Sequence, residues 1–106
     1  MRILFDQGTP APLHHLLAGH EVSTAYERGW SAFKNGELLA AAESHGLQFQ
    51  VTTDMNLKYQ QNLASRIIAV LVLGTTSWPR IKAAAEGVVS AIDATTCGAY
   101  VEVVIP

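Results

Sequence analysis

Apolar and polar positions alternate in some stretches of the chain and not in others, and that contrast predicts its strands. "MRILF" (1–5) and "RIIAVLVLG" (66–74) show no polar alternation. That is the pattern of strands covered on both faces, as in a parallel sheet, and it predicts two central, adjacent strands. "LQFQVTT" (47–53) alternates, with Leu47, Phe49 and Val51 on one face. "AYVEVVI" (99–105) puts Val101, Val103 and Ile105 on one face, which suits an edge strand open to use in a homodimer. "EVSTA" (21–25) makes a short fifth strand.

Helical spacing fills the intervals. "TPAPLHHLLAGH" reads as a short helix capped by Thr9, with Pro10 in its first turn and Gly19 at its end. "NGELLAAAESHG" is the clearest helix, with Asn35 as cap, Glu37 in the first turn and Gly46 closing it. Residues 78–94 carry Trp78, Ile81, Ala85, Val88, Val89 and Ile92 at helical intervals. "YERGWSAFK" (26–34) is irregular. Strands alternating with helices predict a single domain, residues 1–106, built as a three-layer α/β/α sandwich around a mostly parallel sheet.

Composition narrows the class. The chain of 106 residues is 49% hydrophobic and 15% charged, as in a folded globule rather than a disordered segment. Its longest apolar run is too short to span a bilayer, and the first residues do not resemble a signal peptide, so a cytoplasmic protein without membrane contact is expected. One cysteine, Cys97, excludes an intrachain disulfide and a cysteine-based zinc cluster; beside Gly98 it reads as a small core residue. The net charge is −2 and the seven basic residues are scattered, unlike the basic stripe of a protein that holds nucleic acid by charge alone. The four histidines read as surface or helix-end residues, and no glycine-rich phosphate loop is present.

Candidate chemistry lies at the strand ends. The first strand runs into Asp6, the "LQFQVTT" strand into Asp54, and Glu37 opens the helix before that strand. In a parallel sheet all three reach the carboxyl edge, where ligands of such folds bind. Converging carboxylates repel, and Mg2+ or Mn2+ is the usual resolution; such an ion can generate an attacking hydroxide on a phosphodiester. Each acid also has a plainer role: Asp6 ending a strand, Glu37 favouring the helix dipole, Asp54 making a turn with Asn56. The polar run after Asp54 would form the substrate wall, with Asn56, Lys58, Tyr59, Gln60, Gln61, Asn62 and Arg66, and with Asn35 as cap first and site residue second. Tyr59 offers a ring to a base or sugar, and Lys58 and Arg66 are the nearest cations to Asp54 for a phosphate.

The stretches "MRILFDQGTP", "KNGELLAAAESHG" and above all "VTTDMNLKYQQNL" resemble the small PIN-like proteins described as predicted nucleases of toxin–antitoxin systems. The resemblance spans about three-quarters of the chain, up to Leu73. It implies a PIN-like fold, an RNA substrate, metal ligation by Asp6, Glu37 and Asp54, and an antitoxin protein as partner. Many PIN nucleases carry a further acid two positions after the last of these, where this chain has Asn56, so the resemblance supports one metal better than two. Two alternatives stand beside a metal-dependent ribonuclease. One is a catalytically inactive PIN-like module that binds a protein or RNA. The other is a receiver-like domain, which ranks last because no lysine ends a later strand.

Overall fold

The structure, a computed structural model, describes residues 1–60, 62–63 and 66–106. Five strands form one sheet: β1 (Arg2–Phe5), β2 (Glu21–Thr24), β3 (Phe49–Thr52), β4 (Ala69–Leu73) and β5 (Tyr100–Val103). Their order is β2-β1-β3-β4-β5 and every pairing is parallel. A 3-10 helix (Ala11–Leu16) follows β1, α1 (Asn35–Ser44) precedes β3, and α2 (Leu57–Gln60) follows β3. Helices α3 (Trp78–Ala83) and α4 (Ala85–Ala94) lie between β4 and β5.

Period-two alternation splits the core into two layers. Ile3, Phe5, Phe49, Val51, Ala69, Leu71 and Leu73 pack on one face with Leu13, Ile81, Val88 and Ile92 from the 3-10 helix, α3 and α4. Leu4, Val70 and Val72 pack on the other face with Leu38, Leu39 and Ala42 of α1 and Leu57 of α2. The domain is a three-layer α/β arrangement with a covered parallel sheet. Among the described residues, no helix is long and apolar enough to cross a membrane.

Several expectations need correction. β1 and β4 are buried as expected but are not neighbours, because β3 lies between them. β3 therefore has no solvent face: Gln50 and Thr52 are as buried as Phe49 and Val51. Leu47, which precedes the strand, packs in the opposite layer from Phe49 and Val51 instead of sharing their face. The segment after β1 closes only as a 3-10 helix starting beyond Pro10, and Thr9 turns its hydroxyl inward instead of capping. Pro10 and Pro12 each remove a backbone donor there. The long helix breaks at Ala84, whose φ of −101° and ψ of 17° leave the helical region, although no proline or glycine stands at the break. Cys97 is exposed, its thiol donating to the Ile67 carbonyl at 3.2 Å. β5 is an edge strand, and Ile105 is buried on the same side that Val101 and Val103 pack against.

Candidate functional site

The pairing register brings the two aspartates together. Phe5 lies opposite Val51, and the Asp6 N–H continues the ladder by donating to the Val51 carbonyl at 3.2 Å. Asp6 thus leaves the sheet alongside Thr52, on the face covered by α1. Its Oδ1 accepts the Thr9 backbone N–H at 3.1 Å and the Thr9 hydroxyl at 2.8 Å, and its Oδ2 accepts the Thr52 hydroxyl. The Thr9 hydroxyl has one proton and also lies 3.0 Å from the Val51 carbonyl, so it serves one acceptor fully or both weakly. Burial pushes the Asp6 carboxyl above the ordinary carboxylate range, and the hydrogen bonds from Thr52 and Thr9 only partly oppose it. A Cβ on Gly8 would stand 2.5 Å from the Thr53 hydroxyl, so a larger residue there would force that side chain to shift.

Asp54 stands two residues beyond the end of β3. Its N–H donates to the Thr52 hydroxyl oxygen at 3.1 Å, so this one hydroxyl touches both aspartates. Its Oδ1 accepts the Asn56 N–H at 2.9 Å and its carbonyl accepts the Leu57 N–H at 3.3 Å, which starts α2. Its Oδ2 accepts one hydrogen of the Asn35 amide at 2.8 Å; the other goes to Gln60 Oε1 at 3.0 Å. Asp6, Asp54 and Asn35 line a crevice of about 260 Å³ whose remaining wall includes Ala25, Trp30, Phe33 and Leu38. A second hollow of about 390 Å³ opens on the other side of Asp6, against Thr9, Thr24 and Tyr26. In this strand order the connections diverge between β1 and β3, and that divergence is where doubly wound sheets bind ligands.

The remaining candidates separate. Glu37 is exposed in the first turn of α1, its carboxylate accepting the Lys34 N–H at 3.2 Å, the helix-start role that its position also allowed. Lys34, not Asn35, is the residue before the helix, so the Asn35 amide is free to bridge Asp54 and Gln60. Among the described residues, no group of three His, Cys, Asp or Glu side chains lies close enough to hold a metal. Lys58 reaches away to β5, where its ammonium meets Glu102 at 3.0 Å, and that pairing holds it above the usual lysine range. The Tyr100 hydroxyl donates to the same carboxylate at 2.9 Å, and burial with Glu102 lifts its pKa to about 12. Arg66 lies at the amino edge of the sheet, paired with Glu43 at 2.7 Å. Neither cation is placed to meet a phosphate at Asp54. Asn56 contributes its backbone N–H to Asp54, and Tyr59 is 78% exposed. Asn62 is exposed, and Gln61 lies outside the described residues.

Sequence reasoning missed Thr9, Thr52, Gly8, Trp30 and Phe33. The available signal was the Thr-Thr pair before Asp54, since a hydroxyl beside a strand-end carboxylate can tie it to its neighbour. Comparison with protein-family models, curated proteins and solved structures finds no match to this chain.

Proposed function

We propose that the chain is a divalent-metal-dependent ribonuclease of the PIN-like kind, with Asp6 and Asp54 as the ligands of one Mg2+ or Mn2+. The observation that carries this reading is the meeting of the two carboxylates in one crevice, at the carboxyl ends of β1 and β3. Among the described residues, neither has a cation within ion-pair distance. Burial raises the Asp6 pKa and so disfavours its charged form, a cost that a divalent ion would offset.

The donor set fits magnesium, which is commonly held by one or two carboxylates and keeps several waters. The hydrogen bonds already made, with the Gly8 N–H also acting on Asp6, leave at most one acceptor site there and about two on Asp54. When bound, the ion would polarise a phosphodiester oxygen and lower the pKa of a water. Thr9 and Thr52 hold the Asp6 carboxylate in place, and Asn35 holds that of Asp54. Glu37 keeps one carboxylate oxygen on the Lys34 N–H and, among the described residues, is not grouped with the two aspartates. A toxin role and an antitoxin partner rest on the sequence resemblance alone.

The second reading, an inactive PIN-like module, is favoured by the engagement of Glu37 in its helix and by Asn56 in place of a fourth acid. Cleavage of a panel of RNAs with Mg2+ or Mn2+ separates the two. The ribonuclease reading expects metal-dependent cleavage that Asp54→Asn lowers by more than about 100-fold, since several kcal/mol of charge stabilisation leave with the ion. Wild-type protein that cleaves none of the panel with either metal leaves the inactive module.

A further inference from the structure

We infer that residues 26–34, between β2 and α1, form the surface on which a single strand of nucleic acid enters the crevice, Phe33 stacking a base while Arg28 and Lys34 meet backbone phosphates. This rests on the nuclease reading of the Asp6–Asp54 crevice. The segment interleaves rings and cations, Tyr26, Arg28, Trp30, Phe33 and Lys34, with one acid, Glu27, turned back to accept the Thr24 N–H. It is a built surface and not a loose loop. Trp30 N–H donates to the Ala25 carbonyl at 2.8 Å, Gly29 N–H to Tyr26 at 3.0 Å and Phe33 N–H to Trp30 at 3.0 Å. Gly29 supplies the positive φ of 76° that the first turn requires.

Trp30 and Phe33 are stacked, centroids 6.3 Å apart and planes 12° apart, and both line the crevice. Phe33 is 40% exposed, so a base laid on it would lengthen an existing stack. Arg28 is fixed by Ser23 Oγ at 2.9 Å and lies 5.4 Å from the Trp30 ring centre. Lys34 stands between two crevice residues, Phe33 and Asn35. Among the described residues, neither cation pairs with a carboxylate, whereas Lys58 and Arg66 both do. Positive charge left unanswered beside exposed rings matches a strand that offers phosphates and bare base faces together. A duplex keeps its base faces inside.

The test is fluorescence anisotropy with a labelled single-stranded oligouridylate in EDTA, with thermal melts confirming that each variant folds. Phe33→Ala and the double variant Arg28→Ala/Lys34→Ala should each weaken binding by about tenfold. The double variant should also flatten the slope of log affinity against log salt by about 1.4, while Lys82→Ala changes nothing. Folded variants that bind like wild type overturn the inference, and metal-dependent cleavage by wild type would then leave the nuclease reading standing. Equal affinity for a duplex or for a polyglutamate peptide also overturns it, as does a wild type that binds no strand. The expected losses without any cleavage would support this surface while removing the nuclease.

Discussion

Glu43 and Asp6 are partly buried carboxylates near opposite edges of one sheet, and the fold treats them in opposite ways. At the amino edge, Glu43 accepts the Arg66 guanidinium at 2.7 Å and the Ile67 and Ile68 N–H groups at 2.8 and 3.4 Å. Burial works against its charge, but these donors together hold the carboxyl below the ordinary range. At the carboxyl edge, Asp6 has the hydroxyls of Thr52 and Thr9 and the backbone amides of Thr9 and Gly8 but no cation, and burial prevails. A carboxylate answered by its own chain is part of the scaffold. One whose charged form burial disfavours and no cation answers, in a crevice beside a second acid, costs the apo fold stability and invites a ligand.

The largest stability effect should come from the amino edge. Glu43→Gln should cost about 2 kcal/mol at pH 7, the scale of hydrogen bonds to a charged group, and leave RNA cleavage unchanged. The folded carboxyl is held below its ordinary value of 4.5, so its contribution is present above that value and is lost as pH falls through the folded pKa. Urea melts should therefore show the difference between wild type and variant shrinking in acid. Equal midpoints at pH 7 would erase the contrast between the two edges.

A smaller gain is expected beneath the site. The Gln50 side chain is fully buried between Leu4 and Val70, and among the described residues neither its amide N nor its O has a partner. Gln50→Leu should raise stability by about 1 kcal/mol, read as a rise in Tm, because an unpaired buried amide is replaced by an apolar group of similar size. A lower Tm would mean that the amide is satisfied in solution.

Asp6→Asn should have the smallest effect, a slight rise in Tm at pH 7. The folded carboxyl is raised above its ordinary value of 3.8, so wild type loses stability as pH climbs from that value through the folded pKa. The advantage of the variant should fade in strong acid, where wild-type Asp6 is neutral in both states. A clear loss of stability at pH 7 would make Asp6 a structural residue like Glu43.

The carboxyl-edge half of this contrast was legible in the chain, whereas Glu43 was not singled out. Unbroken apolar runs marked β1 and β4 as buried, and the ends of β1 and β3 placed Asp6 and Asp54 at one edge. β3 was misread because Gln50 and Thr52 look like a solvent face, yet α1 covers them; Thr52 is instead used on Asp6. Asn35 looked like a cap because an acid follows in the first turn, but the helix begins one residue earlier than that role requires. Lys58 and Arg66 misled through nearness in sequence. α2 carries Lys58 over to β5, and by Arg66 the chain has crossed to the other edge. No local pattern records such a crossing.

Manganese calorimetry at pH 7 on wild type, Asp6→Asn, Asp54→Asn and Glu43→Gln tests the central claim most directly. Saturable binding should appear in wild type and Glu43→Gln, with a matching metal-dependent rise in Tm, and vanish in both aspartate variants. A wild type that binds no manganese, or one whose binding survives both aspartate substitutions, would contradict a metal site at the carboxyl edge.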